Sequence, residues 1–100
     1  MPQIRKTEVF AKWLDALHDL QARARVQARV ARLEAGNPGD TKAIGGGVSE
    51  LRIDYGPGYR VYFTRHGREV VILLAGGDKR TQSADIRTAQ RLARDLEKRR

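Results

Sequence analysis

Apolar residues recur along this chain in two different periods, and the change of period divides it into three parts. From Glu8 onward, Val9, Phe10, Trp13, Leu14 and Leu17 fall on one side of a helix, behind Thr7, whose hydroxyl suits an N-cap. Val26, Val30 and Leu33 continue the helical period until Gly36-Asn37-Pro38-Gly39 stops it. One helix over residues 8–35 would run about 42 Å at about 1.5 Å per residue, longer than a globule of this size is wide. The pattern therefore predicts a break near His18-Asp19 and a helical hairpin, with residues 2–7 ahead of it available as a short strand.

In the middle of the chain the period falls to two. Leu51, Ile53 and Tyr55 share one face, Gly56-Pro57-Gly58 supplies a tight turn, and Tyr59, Val61 and Phe63 resume the alternation. His66-Gly67 makes a second turn, and Glu69 to Ala75 is a nearly unbroken apolar run, as for a strand covered on both faces. Symmetric turns would set Tyr55 against Tyr59 and Arg65 against Arg68, and so Arg52 opposite Tyr62 and Asp54 opposite Arg60. One face then offers Leu51, Ile53, Val61, Phe63, Val70 and Ile72 to the helices, while an open face carries Glu50, Arg52, Asp54, Arg60 and Tyr62.

After Gly76-Gly77-Asp78-Lys79 a last helix begins near Ser83, with Ile86, Ala89, Ala93 and Leu96 on one side and Arg87, Arg91, Arg94 and Lys98 on another. So weak an apolar face predicts loose docking, and Lys98-Arg99-Arg100 predicts a frayed basic end. The expected fold is α+β: an N-terminal helical hairpin packed on a small antiparallel sheet, a three-stranded meander plus an N-terminal strand, and a C-terminal helix.

Length and composition narrow the class. The 100 residues suit a single domain over 1–100. Mean hydropathy is −0.60. No apolar run approaches the roughly 18 to 20 residues of a membrane span, and Met1 to Lys6 lacks a signal peptide's apolar stretch, so cytoplasmic residence is expected. Cysteine is absent, which removes disulfides, thiolate zinc sites and cysteine nucleophiles. His18 and His66 fall in different parts of the chain with only scattered acids nearby, so neither a catalytic histidine pair nor a metal site is expected, and no cofactor.

Charge changes the picture most. Twenty Lys plus Arg against twelve Asp plus Glu leave +8, and a pI near 10.6 marks a polyanion partner, RNA foremost. Most of the cations are Arg, whose planar guanidinium grips phosphate with two parallel hydrogen bonds. On a strand face, Arg52, Arg60 and Tyr62 would lie about 5 to 7 Å apart, close enough for two guanidiniums to hold one phosphodiester. The competing reading is a surface ladder in which Asp54 merely pairs Arg60. Lys79, behind Gly76-Gly77, would stand at the rim of the same face. Lys42 and Gly45-Gly46-Gly47 precede the first strand of the meander. The glycines lack the Lys-Ser/Thr ending of a phosphate-binding loop and read as a flexible lead-in. Arg25, Arg29 and Arg32 on the second hairpin arm, Arg80, and Arg87 and Arg91 on the last helix are further RNA-binding candidates.

Three strings resemble a known family: Gly36-Asn37-Pro38-Gly39-Asp40-Thr41-Lys42 followed by Gly47 to Ile53, Tyr55-Gly56-Pro57-Gly58-Tyr59-Arg60-Val61-Tyr62-Phe63, and Gly76-Gly77-Asp78-Lys79-Arg80-Thr81-Gln82. With Phe10, Trp13 and Leu14 they are similar to the HigB-like addiction-module killer proteins, also called Gp49-like, of the RelE/ParE toxin superfamily. The resemblance implies a type II toxin with a helix-turn-helix antitoxin that neutralises it and represses their shared operon, so that DNA is met only through that complex. It also implies metal-independent cutting of mRNA on the ribosome, as in many RelE-like members.

In such a reaction a 2'-hydroxyl attacks the neighbouring phosphorus, and cations stabilise the charge that builds on the phosphoryl oxygens. On that resemblance Arg52 and Arg60 would hold the phosphate. Lys79 or Lys42 would act as base or leaving-group partner if crowded cations lower its pKa, and Tyr62 would stack on a base or relay a proton. Some relatives use a histidine or an acid near the C-terminus; the last helix here has no histidine, and the general base stays unassigned. The alternatives are a ParE-like, non-enzymatic inhibitor of DNA gyrase and an inactive basic RNA-binding domain.

Overall fold

The computed structural model describes residues 2–98. Its elements run β1 (Gln3–Lys6), α1 (Glu8–Asp15), α2 (Leu20–Glu34), β2 (Thr41–Gly45), β3 (Val48–Ile53), β4 (Tyr59–His66), β5 (Val70–Asp78), one tight helical turn at Lys79–Thr81, and α3 (Gln82–Lys98). Both arms of the hairpin start where the sequence offers a cap. Thr7 Oγ1 accepts from Phe10 N at 3.1 Å and donates to Leu74 O at 2.6 Å, which caps α1 and ties it to β5. Asp19 accepts from Gln21 N and Ala22 N at 3.0 and 3.2 Å, so the predicted break is a second N-cap.

The α+β architecture stands, but the sheet is mixed and five-stranded, ordered β1-β5-β4-β3-β2, with β1 parallel to β5. A fully antiparallel sheet was expected. The strand absent from the sequence reading is β2, which pairs antiparallel with β3. Gly45, Gly46 and Gly47 all take positive φ and form the tight connection between them, in place of a flexible lead-in.

The register of the meander also differs. Arg52 lies opposite Arg60, Glu50 opposite Tyr62, and Ile53 opposite Tyr59. Tyr55 belongs to the turn: its N donates to Ile53 O and its O accepts from Gly58 N, which shortens both strands. Between β4 and β5 the register shifts at Tyr62/Phe63, so that Leu74 is an extra residue and His66, not Arg65, closes the ladder on Val70.

These shifts decide which side chains meet. Toward the hairpin, Leu51, Ile53, Val61, Phe63, Val71 and Leu73 pack on Phe10, Val26 and Leu33. Val70 and Ile72, expected there, face the other way and join Val48, Tyr62, Leu74 and Ala75 under α3. The last helix is therefore not loosely held. Its Ala89 and Ala93 are small enough to let the helix axis approach the sheet, and Ile86, Leu92 and Leu96 flank the contact. After the bulge, Gly76 faces Trp13 and Gly77 faces Asp85, and a Cβ at either would collide with that side chain. Lys98 is exposed; Arg99 and Arg100 lie outside the described residues. Among those residues no helix is long and apolar enough to cross a membrane.

Candidate functional site

Because α3 lies along the sheet, the face expected to be open is mostly covered. Glu50 is 1% exposed and Tyr62 0%. Burial, then the Glu50 charge, pushes the Tyr62 phenol well above its usual range, so it keeps its proton. Tyr62 thus has no surface on which a base could stack, contrary to the sequence expectation. What stays uncovered is the end of the sheet beyond the first turn of α3.

There a cleft of about 600 Å³ is lined by Arg52, Arg60 and Lys79, the acids Asp40 and Asp54, and Gly56-Pro57-Gly58. Arg60 forms its floor at 9% exposure. Its Nη1 donates to Tyr59 O at 3.1 Å, and its Nε lies 3.8 Å from Glu50 Oε1. Gly58 explains how the cations converge: the position a Cβ would take on it is 3.5 Å from Arg60 Nη1 and 3.7 Å from Lys79 Cδ. A Cβ there would touch both at ordinary contact distance, and what disfavours a side chain is the φ of +83° at Gly58.

Arg52, the cross-strand partner of Arg60, lines the same cleft, and its Nε and Nη2 both donate to Asp40 Oδ1, at 3.2 and 3.1 Å. Its side chain is 39% exposed, so an incoming phosphate can compete for the same fork. Lys79 is held by the turn that begins at Asp78, whose carboxylate accepts from Arg80 N at 2.8 Å. Hydrogen bonding from the Arg80 side chain, first of all, keeps the Asp78 carboxyl below its ordinary range.

The other candidates are spread more widely. Arg25, Arg29 and Arg32 line a smaller groove of about 310 Å³ that shares Ile53 and Asp54 with the cleft, so the two cationic surfaces are continuous. Arg29 spends most of its donors on the fold: Nη1 donates to Arg52 O at 2.6 Å and Nη2 to Pro38 O at 3.0 Å. Burial, helped by the Arg32 charge, lowers its pKa. Arg25 lies over the ring of Tyr55, 4.7 Å from its centroid, and Tyr55 stacks on Tyr59. Lys42 is exposed on β2 across from Glu50 and does not line the cleft. Arg80 pairs with Asp78 at 2.9 Å, and Arg87 and Arg91 are exposed on α3, where Arg91 reaches Asp95 at 3.9 Å.

Sequence reasoning named Glu50 and Asp54 on this face but expected Asp54 to be the acid beside Arg60, a place that Glu50 takes, and it overlooked Asp40. Asp40 is set beside Arg52 because β2 extends the sheet, and Arg52 N donates to Asp40 O at 3.0 Å. Recognising β2 would have supplied that signal. Gln82, which donates to Glu50 Oε2 at 2.7 Å, carried no signal beyond its place at the start of the last helix. Chemically, the cleft can take a phosphodiester between two guanidiniums with an ammonium alongside, one of the guanidiniums being largely shielded from water.

Residues 12–97 match the family described as "Phage derived protein Gp49-like (DUF891)". A protein of Haemophilus influenzae, described as uncharacterized, is 50% identical over 94 residues, which are 94% of this chain and 95% of that protein. Among solved structures, that of a doubly substituted Escherichia coli toxin RelE in the free state superposes with a TM-score of 0.62 at 18% identity, covering 84% of this chain and 93% of the other. At that identity the likeness is one of fold.

Proposed function

This chain belongs to the phage-derived Gp49-like family, and from that premise we propose that it is the toxin of a type II toxin–antitoxin pair, cutting mRNA on the translating ribosome without a metal. The observation that carries the proposal is the meeting of Arg60 and Lys79 at Gly58, with Arg52, the cross-strand partner of Arg60, lining the same open cleft.

In the reaction a 2'-hydroxyl gives its proton to water, its oxygen bonds to the adjacent phosphorus, the bond to the 5'-oxygen breaks and that oxygen takes up a proton, so that the products carry a cyclic phosphate and a 5'-hydroxyl. Negative charge grows on the two non-bridging oxygens as the phosphorus becomes five-coordinate. Arg60, sheltered at the cleft floor, is placed to meet that charge where water screens it least. Arg52 contributes once phosphate displaces Asp40, and Lys79 stands at the rim to neutralise the departing oxygen.

In the groove beside them Arg25 and Arg32 would carry the flanking backbone, with Arg29 bracing it from within, and the exposed Lys42, Arg80, Arg87 and Arg91 would add long-range attraction to RNA. The partners under this reading are the ribosome with its mRNA, and a helix-turn-helix antitoxin through which DNA is met, all in the cytoplasm.

Primer extension on mRNA from a translation reaction tests the proposal. The wild-type chain is expected to leave new 5' ends, and Arg60→Lys, which keeps the charge and loses the fork, to lower cutting by about 100-fold. Intact transcripts together with stalled gyrase and broken DNA would replace it with the ParE-like reading.

A further inference from the structure

Glu50 lies in the middle of β3 with 1% exposure, and a buried carboxylate is costly unless its partners hold it. An apolar side chain would fill the same slot more cheaply. The two partners come from opposite sides. Gln82 Nε2 donates to Oε2 at 2.7 Å, and Arg60 Nε lies 3.8 Å from Oε1. Gln82 opens α3 directly after the turn that carries Lys79. One acid therefore stands between the two elements that bring the cleft's cations together. The fit is not that of a saturated core network, since neither Arg60 Nε nor the Tyr62 hydroxyl has a hydrogen-bond partner among the described residues.

We infer that Glu50 is a positioning residue: it fixes the Arg60 guanidinium and, through Gln82, the Lys79-bearing turn in one mutual geometry that matches a bridging phosphodiester. This rests on the nucleic-acid reading of the cleft. Two roles for the carboxylate predict opposite signs. As a mere negative charge near an anion site, its removal strengthens phosphate binding. As a positioning group, its removal weakens binding, because the cations no longer present themselves together.

Glu50→Gln keeps the size and an acceptor for Gln82 while deleting the charge. The probe is a short RNA methylated at its 2'-hydroxyls, which binds without being cut. Glu50→Gln is expected to bind it about tenfold more weakly, the factor that about 1.4 kcal/mol represents. Arg60→Lys is expected to cost much less in the Glu50→Gln background than in the wild type. Equal or tighter binding by Glu50→Gln, or strictly additive losses, overturns the inference.

A second arm needs no RNA. NMR of arginine side-chain Nε–H groups should show a sharp, slowly exchanging Arg60 signal in the wild type and a broadened one in Glu50→Gln; an unchanged signal also overturns it. A wild-type chain that fails to bind the probe, yet whose Arg60 loses order in the variant, discards the nucleic-acid reading and keeps the positioning role. Where Glu50→Gln does not fold, Gln82→Ala carries both arms with the same expected signs.

Discussion

The two faces of the sheet are made from the same strands and are built to different rules. Toward the hairpin, alternate residues of β3, β4 and β5 form a dry core with Phe10, Val26 and Leu33. Toward α3 the same strands bury Glu50, Arg60, Thr64 and the Tyr62 hydroxyl among apolar neighbours. Of these, Thr64 is satisfied, donating to Gly47 O at 2.7 Å, whereas Arg60 Nε and Tyr62 Oη have no hydrogen-bond partner among the described residues; on the hairpin side only Arg29 Nε, on α2 and not in the sheet, shares that state among them. Burying a polar group without a partner lowers stability, so the α3 face gives up part of what the hairpin face supplies. The lesson is a division of labour within one layer of strands, in which the less stable face adjoins the cationic cleft.

Three substitutions would break or sharpen that contrast. The largest effect is expected for Leu51→Ala on the hairpin face, where a fully buried side chain is removed: stability in a urea melt should fall by about 2 to 5 kcal/mol. A loss under about 1 kcal/mol would mean that this face is not the anchor. Next comes Tyr62→Phe on the α3 face, which deletes an unpaired hydroxyl and nothing else. It should change stability by less than about 1 kcal/mol, and in the stabilising direction. A substantial loss would show that the hydroxyl has a partner and that the two faces are more alike.

The smallest effect concerns Asp85, at the start of α3 and on the polar face. Burial raises its folded pKa above 3.8, against a hydrogen bond from Thr81 that lowers it. A carboxyl whose folded pKa is raised contributes stability below its unfolded pKa, and that contribution is lost as pH rises through the folded value. Asp85→Asn should therefore remove a small rise in thermal stability that the wild type shows as pH falls from neutral toward about 4. Identical profiles in the two proteins would sever Asp85 from the pH response.

How much of this was legible in the sequence depended on whether the deciding force was local. The hairpin was readable because Thr7 and Asp19 are N-caps by chemistry and the apolar spacing between them is helical. The register was not, because it depended on Tyr55 folding into the turn and on an extra residue at Leu74, hidden in an unbroken apolar run. A five-residue β2 that runs out into three glycines gave no alternation to find. The residue types that line the cleft were legible, but their shelter was not. Alanines at 89 and 93 look like a feeble hydrophobic face, yet they are what lets α3 settle closely over Glu50 and Tyr62. Arg29 shows the converse: a charge that reads as an RNA contact is engaged with backbone carbonyls of the chain itself.

The parallel pairing of β1 with β5 sets Ile4 beside Val71. During synthesis the earlier strand emerges long before its mate exists, and only the β2–β3 and β3–β4 pairings can form in between. A nascent chain must therefore hold its opening segment without its sheet partner through the synthesis of both hairpin helices and three strands, until β5 has been made.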